Sequence, residues 1–517
     1  MTTIDFNYYR EQLASSSLSP GKPSSKEGIK NKLKSYRNEW FEKFKEENPK
    51  KTEPKSLPEL VVAKGLNKYT HVITLENGKV ALYDPERGYY QKDYRYAYQL
   101  IYILEPTFNE TKCRNVLFLL SNMSRKYEYN RMRMDFEPEY RDVRRFILVK
   151  NGIYDKRKKK LLSFDYKFIN FSTIETELVE NAPKPIIDGW DVDNWLLDLM
   201  SGDSELVELL WQVIAASLNG NHSYRKSIWL VGNGNDGKGT FQQLISNLVG
   251  LKNVAPLKLN QFSERFGLAI IEGKTVIIGD DVQAGIYVDE SSNFNSVVTG
   301  EPVSIEKKGE NPYLAQFKKT VIQSTNAMPV FKNKSNGTYR RIVIIPFKKT
   351  FGVNDDNWSI KDDYINRKEV LEYVLWKAIN LDFDRFNEPK ATQERMQEFK
   401  EENNTVYKFL NEYLATVEST RIPVRFLWDV YRSWCHEGNH TAPKKSNFER
   451  EMVQNLPVGW IKDRQKPLGF FNPTKDKPDY WHDYNFSWDE NKAKKTTMVV
   501  MVTKTPWVTV ISNRQNL

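Results

Sequence analysis

Cysteine and long apolar runs are scarce in this chain of 517 residues. Two cysteines, Cys113 and Cys435, are too few for a disulfide framework, which favours a reducing compartment. No stretch approaches the ~20 consecutive apolar residues that a membrane-spanning helix needs. The N-terminus also lacks the basic and apolar regions of a secretory signal. We therefore expect a soluble, cytoplasmic protein with no membrane partner.

Charge and composition point to a folded protein with a polyanionic partner. The 77 basic residues exceed the 67 acidic ones, so the formal net charge is +10 and the pI is about 9.0. This balance suits nucleic acid, although so many acidic residues make it weak evidence by itself. Hydrophobic residues make up 39% of the chain, which is enough for packed cores. At this length several domains are expected.

A glycine-rich loop follows an apolar run in the middle of the chain. Residues 227–231 (S-I-W-L-V) predict a strand, residues 241–245 begin a predicted helix, and G-N-G-N-D-G-K-G-T lies between them. In such a junction backbone N–H groups converge on phosphate oxygens, and Lys238 is expected to reach the terminal phosphates. Gly239 stands where serine or threonine usually binds Mg²⁺, so Thr240, or a water it holds, is expected to replace it. The predicted phosphate-binding residues are Gly232, Asn233, Gly234, Asn235, Asp236, Gly237, Lys238, Gly239 and Thr240.

Three further segments carry polar residues at the ends of apolar runs. Asp280 and Asp281 follow a β-branched run, as expected for a buried parallel strand that delivers acids to a phosphate site. Asn326 ends the next predicted strand, where it could sense the terminal phosphate. Arg340 and Arg341 precede another apolar run and suit an arginine finger donated by a neighbouring subunit. Together these segments predict ATP hydrolysis.

The order of these motifs resembles that of superfamily 3 helicases. Residues 299–303 (T-G-E-P-V) with Lys307 and Lys308 complete the series. The chain is most similar to phage and plasmid replicative helicases related to the poxvirus helicase–primase. Upstream, residues 149–155 (V-K-N-G-I-Y-D) resemble a segment of that family's N-terminal region, and residues 404–456 resemble its C-terminal winged-helix region.

The resemblance implies an AAA+-like α/β P-loop motor that forms a hexameric ring around single-stranded or forked DNA. It implies ATP and Mg²⁺ as cofactors and 3′-to-5′ movement for replication of a phage, plasmid or mobile element, in a bacterial host cell. Asp280 and Asp281 become Walker B acids, Asn326 the sensor, and Arg340 or Arg341 the finger. Thr240 and Asp280 would hold Mg²⁺. Lys307 and Lys308 would contact DNA from a β-hairpin spanning residues 304–313.

The pattern along the chain predicts a modular organisation around this motor. A flexible linker is predicted over residues 14–32 and a helix over 32–47, and the Asn77-Gly78 turn predicts a β-hairpin. Tyrosines at 89–98 and the basic run 156–160 are read as packing and as a solvated turn, with nucleic-acid contact as a minority interpretation. The predicted segments are an N-terminal charged segment 1–60, an α+β domain 61–180, a helical collar 181–220, the motor 221–350, a helical extension 351–403 and a winged-helix-like domain 404–517.

The C-terminal segment carries a second set of basic residues. The sequence S-N-F-E at 446–449 predicts a capping box that opens a third helix, with strands after it at 459–461, 497–502 and 507–511. Three helices followed by strands is winged-helix order, so Lys444, Lys445 and Arg450 are expected to contact DNA, which could be origin DNA. Contact with a protein is the alternative.

Three functions remain open at this point. The first is a hexameric replicative helicase, and the second is an origin-binding initiator or helicase loader that does not unwind processively. The third is a packaging or recombination ATPase, against which the hairpin and the C-terminal helices argue. With neither a zinc-ribbon cysteine set nor a further domain before residue 60, we expect no priming activity.

Overall fold

The computed structural model describes residues 22–127, 140, 142–332, 336–352, 357–467, 469–481 and 494–502. The chain divides into two compact units, residues 1–329 with 341–392 and residues 330–340 with 393–517. The helices are α1 Lys26–Glu47, α2 Glu59–Tyr69, α3 Tyr94–Leu104, α4 Glu110–Met123, α5 Val192–Leu199, α6 Ser204–Ser217, α7 Lys238–Val249, α8 Ser292–Thr299, α9 Asn336–Tyr339, α10 Trp358–Asp362, α11 Lys368–Ile379, α12 Lys390–Asn403, α13 Thr405–Leu414, α14 Val424–Glu437 and α15 Lys445–Asn455. The strands are β1 Val72–Thr74, β2 Val80–Asp84, β3 Tyr89–Gln91, β4 Arg125–Lys126, β5 Phe146–Val149, β6 Gly152–Asp155, β7 Lys160–Leu162, β8 Ser227–Gly232, β9 Val254–Pro256, β10 Val276–Val282, β11 Tyr287–Val288, β12 Pro302–Ile305, β13 Tyr313–Gln316, β14 Thr320–Thr325, β15 Val330–Phe331, β16 Ile342–Phe347, β17 Arg421–Pro423, β18 Trp460–Gln465 and β19 Thr497–Val502.

Helix α1 is longer than its charge pattern suggested. The Ser25 side chain accepts a hydrogen bond from the Gly28 N–H at 3.1 Å, so the helix starts six residues before the predicted Lys32. Ile29 and Leu33 are buried in one apolar cluster with residues of α2, α3 and α4. The linker predicted over 14–32 is therefore wrong for residues 26–32, because a serine cap and two buried side chains extend the helix through them.

The predicted N-terminal hairpin is confirmed. Strands β1 and β2 pair antiparallel, and Gly78 takes a positive φ of 75° at the turn between them. The sheet order is β3-β2-β1-β4. Tyr89 and Tyr90 are buried in this sheet, as the packing interpretation expected, whereas Tyr94 is 57% exposed on α3.

A second small sheet, β5-β6-β7, contains the segment 149–155 that carried the upstream resemblance. Asp155 is fully buried and accepts hydrogen bonds from Arg145 Nε at 2.7 Å and from the N–H groups of Arg157 and Lys158. The basic run 156–160 thus forms the turn between β6 and β7. Burial opposes the charge on Asp155, but Arg145 and the two N–H groups outweigh it and hold the pKa of Asp155 below its usual range.

The central sheet of the first unit has five parallel strands in the order β16-β8-β14-β10-β9. Its strands are apolar runs with both faces covered, which is the usual pattern of parallel sheets. Residues of α5, α6, α7 and α11 share one buried cluster with β8, β10, β14 and β16. The predicted mixed α/β fold with a parallel sheet is therefore confirmed, and the carboxyl ends of its strands meet at one edge.

The second unit contains α13, α14 and α15 and the antiparallel sheet β17-β19-β18 around one apolar cluster. Helix α15 begins at Lys445 after an extended Lys444 that makes no side-chain cap. The predicted capping box at 446–449 is wrong, because the extended residue precedes Ser446 by two positions and places Ser446 in the first turn. The short strand β17 was not predicted, and the strand predicted at 507–511 lies outside the described residues.

The cysteines and the apolarity of the helices were considered in the sequence. Cys113 and Cys435 are buried and free, so they form no disulfide. Within the described ranges, no helix combines the length and the apolarity needed to cross a membrane.

Replacing Asp155 with asparagine should destabilise the first unit by about 3 kcal/mol at neutral pH, because Arg145 loses its buried carboxylate. Because the folded-state pKa of Asp155 is lowered, its contribution is present above the unfolded-state pKa of ~4 and disappears as pH falls through the folded value. Urea unfolding of the wild type and Asp155→Asn at pH 7 and in acid measures both effects. Asp363→Asn, which breaks a surface pair with Arg367, is the control. Equal stability of Asp155→Asn and this control would contradict the assignment.

Candidate active site

The glycine-rich loop joins β8 to α7 in a conformation that depends on glycine. Gly234 and Gly237 have φ angles of 96° and 84°, in the left-handed region that L-residues with a Cβ rarely adopt. A Cβ on Gly232 would lie 2.6 Å from the Phe347 carbonyl oxygen. The loop therefore passes close to β16 and ends at the first turn of α7. This is the strand–loop–helix junction that the sequence predicted.

An acidic side chain fills the interior of this loop. The Lys238 ammonium forms an ion pair with the Asp236 carboxylate, and both side chains are buried, at 7% and 3% exposure. The carboxylate also accepts hydrogen bonds from the N–H groups of Gly234 and Lys238, each at 3.3 Å. N–H groups and a lysine ammonium are the types of donor that hold a phosphate in such loops, and here they bind the Asp236 carboxylate. The sequence placed Asp236 in the loop but did not reveal this contact.

The position after Lys238 is spacious. Among the described residues other than its chain neighbours and the nearby helix backbone, nothing lies within 4 Å of a Cβ built on Gly239, so the space beside this position is open. Thr240 is half-buried in the first turn of α7. Thr240 and the exposed Asp280 are oxygen donors of the kind that Mg²⁺ prefers, and the residues present therefore fit this ion.

The paired acids lie at the end of β10, next to β14. Ser324 donates a hydrogen bond to Asp280 Oδ1 at 2.7 Å and accepts one from the Asp281 N–H at 2.9 Å. Asp281 has a φ of 50°, and the pairing register shifts between Gly279 and Val282. This irregularity leaves both acids exposed at the edge of the sheet. The sequence did not predict this contact of Ser324 with the two acids.

Strand β14 brings the predicted sensor to the loop. Asn326 directly follows β14, and its Oδ1 lies 3.5 Å from Lys238 Nζ. Because β14 pairs with both β8 and β10, the lysine, the amide and the two acids reach the same edge of one sheet. The structure thus brings together the residues whose types and order predicted a phosphate site.

The two arginines differ in their surroundings. Arg341 directly precedes β16, and its carbonyl oxygen accepts a hydrogen bond from the Ser227 N–H at 2.6 Å. Arg340 is exposed in the turn before it. Which of them acts as a finger stays a prediction.

The predicted β-hairpin is present, with β12 and β13 paired and Gly309 at a φ of 79°. Its two lysines are not equivalent. Lys307 forms an ion pair with Glu272, which also accepts a hydrogen bond from the Tyr313 hydroxyl, whereas Lys308 is exposed. The ion pair was missed because Glu272 is distant in sequence. Of the two, Lys308 is the one whose side chain is open to solvent for a DNA contact.

In the second unit, Lys444, Lys445 and Arg450 are exposed at the start of α15 and along it. Arg450 donates a hydrogen bond to Asn447 at 3.3 Å. All three side chains face solvent, as a surface that contacts DNA requires.

Comparisons with known proteins agree with the motif order. A family described as "Poxvirus D5 protein-like" matches residues 401–487, and a family of unknown function (DUF5906) matches residues 230–341. The chain resembles the D5-like helicases. The resemblance drawn from the motifs is thereby confirmed.

Two viral relatives carry helicase names. A "Putative helicase L207/L206" of Acanthamoeba polyphaga mimivirus is 21% identical over 302 residues, 51% of this chain and 30% of that protein. A "Putative helicase 121R" of Invertebrate iridescent virus 3 is 24% identical over 223 residues, 40% of this chain and 23% of that protein. The chain thus spans less than a third of the length of either relative.

Solved structures of the NrS-1 C-terminal region are also similar. An apo A-form structure of this region is 14% identical, covers 86% of this chain and 100% of its own, and gives a TM-score of 0.49. A second apo structure, of its residues 305–718, is 13% identical, covers 86% of this chain and 99% of its own, and gives a TM-score of 0.47.

Replacing Asp236 with asparagine should tighten ATP binding about tenfold, because the phosphates no longer compete with a carboxylate for Lys238 and the loop N–H groups. Titration of a fluorescent ATP analogue against the wild type and Asp236→Asn measures the change. Asp363→Asn makes the same charge change on the surface of the first unit and should bind as the wild type does. Unchanged or weaker binding by Asp236→Asn would show that the carboxylate does not compete with phosphate.

Proposed function

We propose that this protein is an ATP-dependent DNA helicase that acts as a hexameric ring, moves 3′ to 5′, and serves replication of a phage, plasmid or other mobile element. The observation that carries the proposal is the strand order of the central sheet. Strand β14, which Asn326 directly follows, separates the loop strand β8 from the acid strand β10, as expected of an AAA+-like core. The helicase names of the two viral relatives support the same activity.

In this proposal each polar group at the sheet edge has one task. Lys238 and the loop N–H groups exchange the Asp236 carboxylate for the phosphates of ATP, the substrate. Asp281 and Asn326 orient the attacking water, while Arg340 or Arg341 of a neighbouring subunit stabilises the charge that develops on the transferred phosphoryl group. Mg²⁺, held by Thr240 and Asp280, would supply positive charge to the phosphate oxygens when bound.

The DNA contacts are assigned to two surfaces. In the first unit, Lys308 at the β12–β13 turn would face the strand inside the ring. In the second unit, three helices with a three-stranded sheet suit a winged-helix domain, and Lys444, Lys445 and Arg450 would bind duplex DNA there. We also assign residues 61–180 to an N-terminal domain and 181–220 to a helical collar.

A second candidate function rests on the loop itself. Gly239 lacks the hydroxyl that usually binds Mg²⁺, and Asp236 occupies the phosphate position, so ATP could set assembly without rapid turnover. An origin-binding initiator or helicase loader would work in this way. ATP turnover that rises with single-stranded DNA favours the helicase instead.

The proposal is tested with matched duplexes that carry either a 3′ tail or a 5′ tail. We expect ATP-dependent opening of the 3′-tailed duplex by the wild type. Lys238→Ala should bind both duplexes and open neither, because it removes the proposed phosphate contact and the Asp236 ion pair but no residue of the proposed DNA surfaces. Opening by Lys238→Ala would contradict the loop assignment. Binding without opening by the wild type would favour the initiator or loader, and failure to bind single strands would favour a packaging or recombination ATPase.

The shared site is tested by mixing variants. Arg340→Ala or Arg341→Ala, whichever removes the finger, should lose ATP hydrolysis and regain part of it when mixed with inactive Asp281→Asn, because each partner supplies what the other lacks. Hydrolysis is measured across a series of mixing ratios. Activity that never exceeds the sum of the separate variants would exclude an arginine shared between subunits.

A further inference from the structure

A cavity of about 70 Å³ lies in the first unit, away from the glycine-rich loop. Its walls come from the β1–β2 turn, the segment 170–172, the loop 271–274 and the hairpin strand β13. Three lysines line it, Lys92, Lys274 and Lys319, and we call it the lysine cavity. By the measure in which one water needs about 10–15 Å³, the cavity has room for several waters and therefore for a small anion such as phosphate.

Lys92 is the least satisfied of these lysines. Its ammonium lies 4.0 Å from the centre of the Phe171 ring, and it forms no hydrogen bond or ion pair with any residue in the described ranges. Loss of hydration lowers the pKa of Lys92 by more than the nearby Glu272 carboxylate raises it, so the charge of this half-buried lysine is only partly compensated. Such an ammonium is costly, and an anion bound in the cavity would offset that cost.

Lys319 adds a second positive charge to the same cavity. Its ammonium donates to the Gly220 carbonyl oxygen, which leaves its other N–H groups for a ligand. Burial and the nearby Lys92 lower the pKa of Lys319 to about 7. The two ammonium groups therefore repel one another, and an anion bound between them would favour the charged form of both.

The carboxylates at the cavity compensate these lysines only in part. Glu272 attracts Lys92, but it is also paired with Lys307 and accepts a hydrogen bond from the Tyr313 hydroxyl. Glu76 is exposed to solvent. Asn170, Ser172 and Asn221 supply neutral polar groups in the lining. Lys274 directs its ammonium to the Lys252 carbonyl oxygen. The cavity thus combines two insufficiently neutralised cations with neutral hydrogen-bonding groups.

We propose that the lysine cavity is a phosphate-binding site in which Lys92 and Lys319 hold the phosphate oxygens. The phosphate belongs either to the backbone of a nucleic-acid strand or to a free phosphate ion. We favour the nucleic-acid backbone as the source, since β13 forms one wall of the cavity and belongs to the hairpin that the proposed function places next to DNA. Both sources present the same tetrahedral anion, so the same two lysines recognise it.

The test uses the full chain in a Lys238→Ala background, so that the glycine-rich loop does not contribute to phosphate binding. Inorganic phosphate is titrated by calorimetry, and a short oligothymidylate is titrated by fluorescence anisotropy without ATP. Lys92→Met and Lys319→Met should each weaken phosphate binding about tenfold or more, because each removes a charged donor. Lys92→Arg keeps the positive charge and should retain most of the phosphate affinity. This result would show that the loss in Lys92→Met comes from the missing charge and not from misfolding.

Lys112→Met is the matched control, since Lys112 also lies over an aromatic ring, Phe108 at 5.0 Å, but does not line the cavity. A parallel loss of oligothymidylate affinity would identify a backbone phosphate as the ligand. Loss of phosphate binding alone would identify the free ion. Phosphate affinity that is absent in the parent, or equal in both cavity variants and the control, would overturn the proposal.

Discussion

Parallel pairing of β8 with β14 and of β14 with β10 is the constraint on which the candidate site depends. Parallel strands place their carboxyl ends at one edge, so residues nearly a hundred positions apart meet there. Lys238 and Asn326 come within hydrogen-bonding distance only because β14 lies beside β8. The apolar bodies of these strands, buried on both faces, make that edge a rigid support for the polar groups.

The glycine-rich loop is stabilised by a carboxylate from within the chain. A loop of converging N–H groups next to a buried lysine is strongly electropositive, and Asp236 neutralises it with a carboxylate from the loop itself. The Asp236 carboxylate, which stabilises the loop through this ion pair, also repels an anionic ligand. If the loop binds a nucleotide as proposed, the phosphates compete with the Asp236 carboxylate for Lys238 and the loop N–H groups.

Charged side chains elsewhere in the first unit differ in how fully their neighbours compensate them. Asp155 and Arg145 satisfy one another and fix a turn, so their charges are structural. Glu272 satisfies Lys307 and Tyr313 at the hairpin. Lys92 forms no hydrogen bond or ion pair within the described residues, and Glu272 compensates it only in part, which distinguishes the lysine cavity from the structural pairs. A lysine in a sequence does not reveal which of these situations applies.

The sequence by itself determined the parallel α/β core, the β-hairpins and the order of the phosphate-site residues, because these depend on local patterns of apolar runs, glycines and turns. It also identified the resemblance to D5-like helicases, because the motifs follow one another along the chain. The starts predicted for α1 and α15 were wrong. The Ser25 cap begins α1 earlier than its charge pattern indicated, and the extended Lys444 begins α15 before the predicted capping box. Only the tertiary structure decided that Asp236 fills the loop, that Ser324 holds the paired acids, that Glu272 engages Lys307 and that Lys92 faces a cavity. The features at Ser324, Glu272 and Lys92 bring together residues that lie far apart in sequence, so no local pattern could predict them. The Asp236 contact is local, but it depends on the backbone angles of the loop, which the sequence pattern does not give.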